Sequence, residues 1–183
     1  MDLRVKKTRT SIINAFLTLR SKKPLERITV KELSNAAQIN KATFYLHYKD
    51  IYDLSETLES ELFENVLNSI EHPDAVVSDP RIFVKELIEG FTANQTLIDI
   101  IFSNERRSIL VDRIEKELKS FLFEKHPEYK SIAEINVLLT YSIKGGYYAF
   151  AENRDCDENI LVSVISDTAE YITKLIAKTD AEQ

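Results

Sequence analysis

The chain has 183 residues, a formal net charge of −6, 44% hydrophobic and 30% charged residues, and one cysteine. This composition excludes a disordered chain, and the single cysteine excludes an internal disulfide framework and a cysteine-based zinc site. The charged N-terminal segment is not followed by the unbroken apolar stretch that a signal peptide needs. No apolar run approaches the roughly 20 residues that span a bilayer, so we expect a cytoplasmic protein without a membrane partner.

The charge is divided unevenly along the chain. The first 49 residues carry 11 Lys and Arg against three acidic residues, a balance of +8, whereas the remaining residues carry 13 against 27. A basic segment in an otherwise acidic protein predicts an anionic partner for that segment. A basic face exposed only to solvent is the alternative interpretation.

Apolar residues recur at helical spacing along most of the chain, and no strand-like alternation persists. Only three glycines and four prolines occur, which also favours long helices. The predicted helices cover residues 5–19, 30–37, 41–48, a long segment from 50, 81–92, 95–103, 106–124, 131–151 and 157–177, with the clearest interruption at residues 72–80. We therefore predict an all-α fold of about nine helices.

Short polar residues mark three successive helix starts near the N-terminus. Thr29 and Glu32 have the spacing of a capping box, in which the Thr hydroxyl accepts from a backbone N–H and the Glu carboxylate reaches back. Asn40 and Asp50 are favourable N-caps for the next two helices. Two short helices joined by a tight turn form a helix-turn-helix, whose second helix enters the DNA major groove. A plain helical hairpin with a solvated polar face is the alternative.

Residues 29–54 resemble the DNA-binding signature of the TetR family of bacterial transcriptional regulators. The shared features are a Thr-capped helix, an Ala pair, a Tyr and a following His in the recognition helix, an aromatic residue, and a helix with an acidic residue followed by Leu. The resemblance is specific over residues 6–66. Beyond them it extends only to the architecture, a helical domain that ends with two long helices. It implies a three-helix, helix-turn-helix DNA-binding domain at residues 6–66, with the motif at 29–48. A helical-bundle effector-binding and dimerisation domain would follow at residues 67–183.

The resemblance also implies roles for individual residues. Thr29 would contact a phosphate, and Tyr48 would pack against the first helix. The residues at the start of the recognition helix that would face bases are Lys41, Ala42 and Thr43. The predicted DNA-binding residues are Thr29, Lys41, Ala42, Thr43, Tyr45, His47, Tyr48 and Lys49. Two positions depart from the family pattern. Gln38 stands in the turn where Gly is common, and Ile51 stands where Lys is frequent.

The C-terminal part is predicted to dimerise. Gly145 and Gly146 lie within an apolar helical segment, where glycine is tolerated if another backbone approaches closely. The resemblance implies a four-helix bundle made by the last two helices of each subunit. Such a dimer would place two recognition helices about 34–36 Å apart on a palindromic operator. Aromatic residues of this part are expected mainly in the core, and some would line a pocket for a small apolar or aromatic effector.

No enzyme, cofactor or metal site is predicted. The three histidines, His47, His72 and His126, are far apart and fit no metal-ligand spacing, and glycine-rich phosphate loops are absent from the sequence. We interpret the chain as a homodimeric, sequence-specific DNA-binding regulator, a repressor released from its operator by a small effector. Two alternatives stay open: an activator or co-regulator controlled by a protein partner without a small ligand, and a helical interaction module that binds no DNA.

Overall fold

The computed structural model describes residues 3–103 and 106–181. Within them the fold is all-α, as predicted, and it has ten α-helices and no strand. The helices are α1 Leu3–Arg20, α2 Val30–Ala36, α3 Lys41–Tyr45, α4 Ile51–Asn68, α5 Ala75–Ser78, α6 Pro80–Ala93, α7 Gln95–Ile101, α8 Arg107–Lys125, α9 Ala133–Glu152 and α10 Glu158–Ala181. The prediction of about nine helices missed α5, a single turn inside the interrupted segment.

The described residues form two compact units. The first comprises residues within Met1–Leu62 and Gln95–Arg107, and the second comprises residues within Phe63–Asn94 and Ser108–Gln183. Helix α7 therefore belongs to the first unit although it follows α6 in the chain. The functional boundary between residues 66 and 67 stays a prediction.

The first unit is built around fully buried apolar side chains. Ile12 and Phe16 lie one helical turn apart on α1, which packs on α2 and α7. Leu33 of α2 and Phe44 of α3 are both 0% exposed. Because α2 and α3 are too short to be stable alone, burial of these side chains is what holds them in place.

The second unit has α10 packed against both α6 and α9. One core cluster joins α8, α9 and α10 through Leu122, Ile135, Ile172 and Ile176. Gly90 of α6 allows a close approach to α4, since an added Cβ would lie 3.0 Å from Ser69 Oγ and 3.2 Å from Val66 Cγ1. A larger residue at this position would require the side chains of Val66 and Ser69 to shift.

Candidate nucleic-acid interface

Helix α2 begins at the predicted cap. The Thr29 hydroxyl oxygen accepts from the Glu32 backbone N–H at 3.3 Å. The Glu32 side chain does not complete the predicted capping box, because its carboxylate bonds the Lys23 ammonium instead. The helix start is thus fixed by Thr29 alone, and Glu32 ties α2 to the segment that precedes it.

The turn between α2 and α3 is a Schellman motif with glutamine in the position that usually holds glycine. Gln38 has φ of 56°, in the left-handed region. The Gln38 N–H donates to Asn35 O at 3.1 Å, and the Ile39 N–H donates to Ser34 O at 3.0 Å, which is the bond pair of this motif. A non-glycine residue in this conformation costs roughly 1–2 kcal/mol. The turn required by the predicted motif is therefore present, with a residue that makes it conformationally costly.

Helix α3 and helix α4 also begin at the predicted caps. Asn40 Oδ1 accepts from the Thr43 backbone N–H at 2.7 Å and from the Thr43 hydroxyl at 2.9 Å. Asp50 Oδ1 accepts from the Asp53 N–H, and Asp53 Oδ2 accepts in return from the Lys49 N–H, both at 2.8 Å. These local bonds set the angles at which the chain enters α3 and leaves it.

The predicted DNA-binding residues fall into three groups by exposure. Five are exposed, namely Thr29, Lys41, Ala42, Tyr45 and Lys49. Thr43 and His47 are half-buried. Seven of the eight predicted residues are thus at least partly accessible, from the start of α2 to the start of α4.

Tyr48 is the eighth and is buried. It is 5% exposed, and its ring centroid lies 5.9 Å from that of Phe44. Burial raises the pKa of Tyr48, and the neighbouring Arg9 guanidinium of α1 opposes this rise. Its place as a DNA contact is thus corrected to a position in the core beneath the surface, which agrees with the expected packing against the first helix.

One exposed side chain of the helix-turn-helix was missed by the sequence analysis. Leu46, the residue that ends α3, is 85% exposed. Its backbone N–H donates to Ala42 O at 3.2 Å, so the two side chains lie one helical turn apart on the outward side. The helical period counted from Ala42 would have identified it.

A buried polar network attaches α7 and the segment after it to the first unit. Arg20 is 2% exposed and donates through Nη2 to Ile101 O and Ser103 O, both at 3.3 Å. Arg106 Nη2 donates to Glu59 Oε1 at 2.5 Å, and the Ser55 hydroxyl donates to the same oxygen at 2.9 Å. Burial and the adjacent Arg106 charge lower the pKa of Arg20. Arg20, which is distant in sequence, thus caps the carbonyls at and just after the end of α7.

The last two helices leave apolar side chains exposed. On α9 these are Val137 (68%), Tyr141 (70%) and Tyr148 (46%), and on α10 they are Ile160, Val164, Tyr171 and Leu175, at 51–72%. Gly145 lies between Tyr141 and Tyr148 in this stripe, and an added Cβ would meet no atom within 4 Å. Gly146 differs, because its Cβ would lie 3.4 Å from Ile165 Cγ2 of α10.

A group of charged and polar side chains also links α8 to α9. Glu115 accepts from the Lys119 ammonium at 2.8 Å and from the Thr140 hydroxyl at 2.5 Å, and Lys144 lies 3.2 Å away. The Lys119 and Thr140 hydrogen bonds lower the pKa of Glu115 to about 2. This carboxylate is consequently charged at every physiological pH.

The aromatic residues of the C-terminal part are less buried than predicted. Phe83 is 5% exposed and stacks on Phe121 with ring centroids 5.8 Å apart, while Phe63 and Phe91 meet edge to face at 6.1 Å. Tyr141 is 70% exposed and lies outside any core.

A groove of about 570 Å³ lies between α9 and α10 and is lined by Ala133, Glu134, Val137, Leu138, Leu175, Lys178 and Thr179.

Comparison with solved structures identifies a similar fold. The fatty acid degradation regulator FadR from Bacillus halodurans matches with a TM-score of 0.54 and 15% sequence identity, over 91% of this chain and 94% of FadR. At this identity the similarity shows a shared fold and leaves the TetR assignment a prediction. No family model matches the chain, and no curated protein matches its sequence.

Among the residues that the structure describes, no helix has the length and apolar character needed to cross a membrane. Among the same residues, no group of three or more His, Cys, Asp and Glu side chains is placed to hold a metal ion.

Proposed function

We propose that the protein is a TetR-like transcriptional regulator that binds DNA through α2 and α3 as a homodimer. The observation that carries the proposal is the three-cap geometry. Thr29, Asn40 and Asp50 start successive helices, and the turn at Gln38 supplies the left-handed residue that a helix-turn-helix needs. The surface so formed exposes Lys41 and Lys49 in the part of the chain whose charge balance is +8.

Dimerisation through α9 and α10 is supported by their two-sided apolar character. Helix α10 buries Ile172 and Ile176 within its own unit while Tyr171 and Leu175 remain exposed. A helix that is apolar on two sides is usually buried on both. Gly145 leaves room for a helix of the partner to approach α9. A twofold arrangement would present two copies of α3 to a palindromic site.

The groove between α9 and α10 is better explained by this dimer than by an effector. Val137 and Leu175 line the groove and also belong to the exposed stripes, so a second copy would cover it. A small apolar or aromatic effector would instead bind among the partly buried aromatic side chains of the second unit. Effector binding would then favour a state with lower operator affinity, as in a repressor.

Selection of binding sites from random duplex DNA tests the proposal. Full-length protein should enrich a palindrome whose half-sites are about one helical turn, roughly 10 base pairs, apart. Candidate effectors are then titrated into the protein–operator complex; acyl compounds come first because FadR regulates fatty acid degradation. Enrichment of no sequence would refute DNA recognition, and enrichment of a single unpaired half-site would refute the dimer.

A further inference from the structure

The outward surface of α3 has an apolar pair, Ala42 and Leu46, near its centre, beside the exposed phenol of Tyr45, and it has lysines at its ends. Leu46 is 85% exposed and lies one helical turn from the exposed Ala42. Neither side chain can donate or accept a hydrogen bond. Lys41 and Lys49, both exposed, flank this apolar centre along the chain. Single exposed apolar residues are ordinary on protein surfaces, but here they occupy the part of the helix that would face bases.

Thr43 contributes a methyl group to this centre. Its hydroxyl donates to Asn40 Oδ1 at 2.9 Å, and the same oxygen accepts from the Thr43 backbone N–H at 2.7 Å. The hydroxyl proton is therefore engaged within α3, and only the hydroxyl oxygen stays available, as an acceptor. Thr43 is half-buried and lies three residues before Leu46, so its methyl group is the apolar part that it can add to Ala42 and Leu46.

We propose that α3 recognises thymine through its C5-methyl group, by apolar contact with Ala42, Thr43 and Leu46. The thymine methyl is the apolar feature that base pairs present in the major groove, and alanine and threonine methyl groups are its usual partners. Lys49 contacts an adjacent phosphate and sets the position of the helix. This inference rests on the proposed DNA-binding function and adds the chemical class of base that each half-site must contain.

Replacement of thymine by uracil tests the proposal, because it removes the methyl group and retains base pairing. Each thymine of the selected operator is replaced in turn, and Kd is measured with full-length protein by fluorescence anisotropy. One buried methyl group is worth about 0.8 kcal/mol, so we expect an affinity loss of about fourfold for each contacted methyl. Uracil at every position leaving Kd within experimental error would overturn the proposal while leaving selective DNA binding intact.

Paired variants assign the contact to its residues. Thr43→Ser keeps the hydroxyl and removes the methyl, whereas Thr43→Val keeps a methyl and removes the hydroxyl; the Asn40 cap keeps the backbone N–H bond in both. We expect the uracil penalty to shrink in Thr43→Ser and Leu46→Ala and to persist in Thr43→Val. Leu46→Ala should fold normally, because its side chain is exposed.

Ile109→Ala is the matched control, since Ile109 is an exposed aliphatic side chain of the second unit, at 44%. Its uracil penalty should equal that of the unmodified protein. A penalty that is unchanged in Thr43→Ser and Leu46→Ala would overturn the assignment to this surface. A penalty lost in Thr43→Val but kept in Thr43→Ser would show that the hydroxyl reads the base, and would also overturn it. Binding without sequence preference would instead refute the proposed function itself.

Discussion

Helices α3 and α10 both expose apolar side chains, but their surroundings differ. Helix α3 has five residues, is fixed by local caps, and is flanked by exposed lysines. Helix α10 has 24 residues and buries Ile172 and Ile176 opposite its exposed side. The apolar surface of α3 is small and lies in a cationic setting that suits DNA, whereas that of α10 is long and suits another helix. Exposed apolar residues therefore indicate a partner only when the helix length and nearby charge are considered with them.

The largest expected effect comes from placing a charge on the exposed side of α10. Leu175→Glu would bury two carboxylates in the proposed dimer interface. The cost is on the order of 4 kcal/mol for both copies, which raises the dimer Kd roughly a thousandfold. Sedimentation velocity measures this change, and the variant should be monomeric where the unmodified protein is dimeric.

The control for Leu175→Glu is Ser120→Glu, which makes the same charge change at an exposed position of α8. It should leave the dimer intact. If Ser120→Glu and Leu175→Glu sediment alike, the exposed stripe of α10 is not the interface.

Arg20 tests how strongly α7 is held in the first unit. Arg20→Ala leaves the carbonyls of Ile101 and Ser103 without their buried donor. We expect the free energy of unfolding to fall by about 2–4 kcal/mol. Urea denaturation measures the loss. Arg107→Ala, at an exposed arginine of the next helix, should cost less than about 1 kcal/mol, and an equal cost for the two variants would contradict the role of Arg20.

Glu115 tests the charged and polar contacts between α8 and α9 by its pH dependence. Its folded pKa of about 2 lies below the ordinary value of 4.5. The stability it contributes is therefore present above pH 4.5 and is lost as the pH falls towards 2. Because the side chain is 18% exposed, we expect about 1–2 kcal/mol rather than the full value of the shift.

Glu115→Gln should lower stability at neutral pH and match the unmodified protein near pH 2. Urea denaturation across this pH range measures the difference. Glu124→Gln, at an exposed position of the same helix, should show no such convergence. A constant difference for Glu115→Gln at all pH values would mean that its charge is not involved.

Gln38 gives the smallest expected effect and concerns the turn before α3. Gln38→Gly relieves the left-handed strain at φ of 56° and should raise the free energy of unfolding by about 0.5–1 kcal/mol. Thermal denaturation detects this as a higher Tm. Asn35→Gly, within α2, should lower Tm instead, because glycine is unfavourable in a right-handed helical position. Destabilisation by Gln38→Gly would contradict the strain assigned to the turn.

Local features of the fold were predictable from the sequence, and long-range ones were not. The caps at Thr29 and Asn40 depend on residues three positions apart, so their spacing is visible in the chain. The single turn α5 was missed because a four-residue helix has no apolar period. The capping box failed at Glu32 because its carboxylate pairs with Lys23, a partner that helix spacing does not indicate.

The exposure of individual side chains was harder to predict than the positions of the helices. Arg20 donates hydrogen bonds to Ile101 and Ser103, which lie 81 and 83 positions further along the chain. No local sequence pattern indicates such a partner. The last helix carries both Ile172, which is buried, and Leu175, which is exposed, at helical spacing. Periodicity identifies an apolar helix but does not assign each side to its own core or to a second copy.

The salt dependence of operator binding tests the central claim most directly. Each phosphate contact releases counterions, so log K should fall linearly with log salt, with a slope of about −0.9 for each neutralised phosphate. Lys49→Ala should make the slope shallower by about one for each protomer, whereas Lys116→Ala, at an exposed lysine of α8, should leave it unchanged. The account predicts a steep slope for the unmodified protein and a shallower one for Lys49→Ala. Binding that does not weaken with salt, or equal slopes for all three proteins, would contradict the claim that the helix-turn-helix binds DNA.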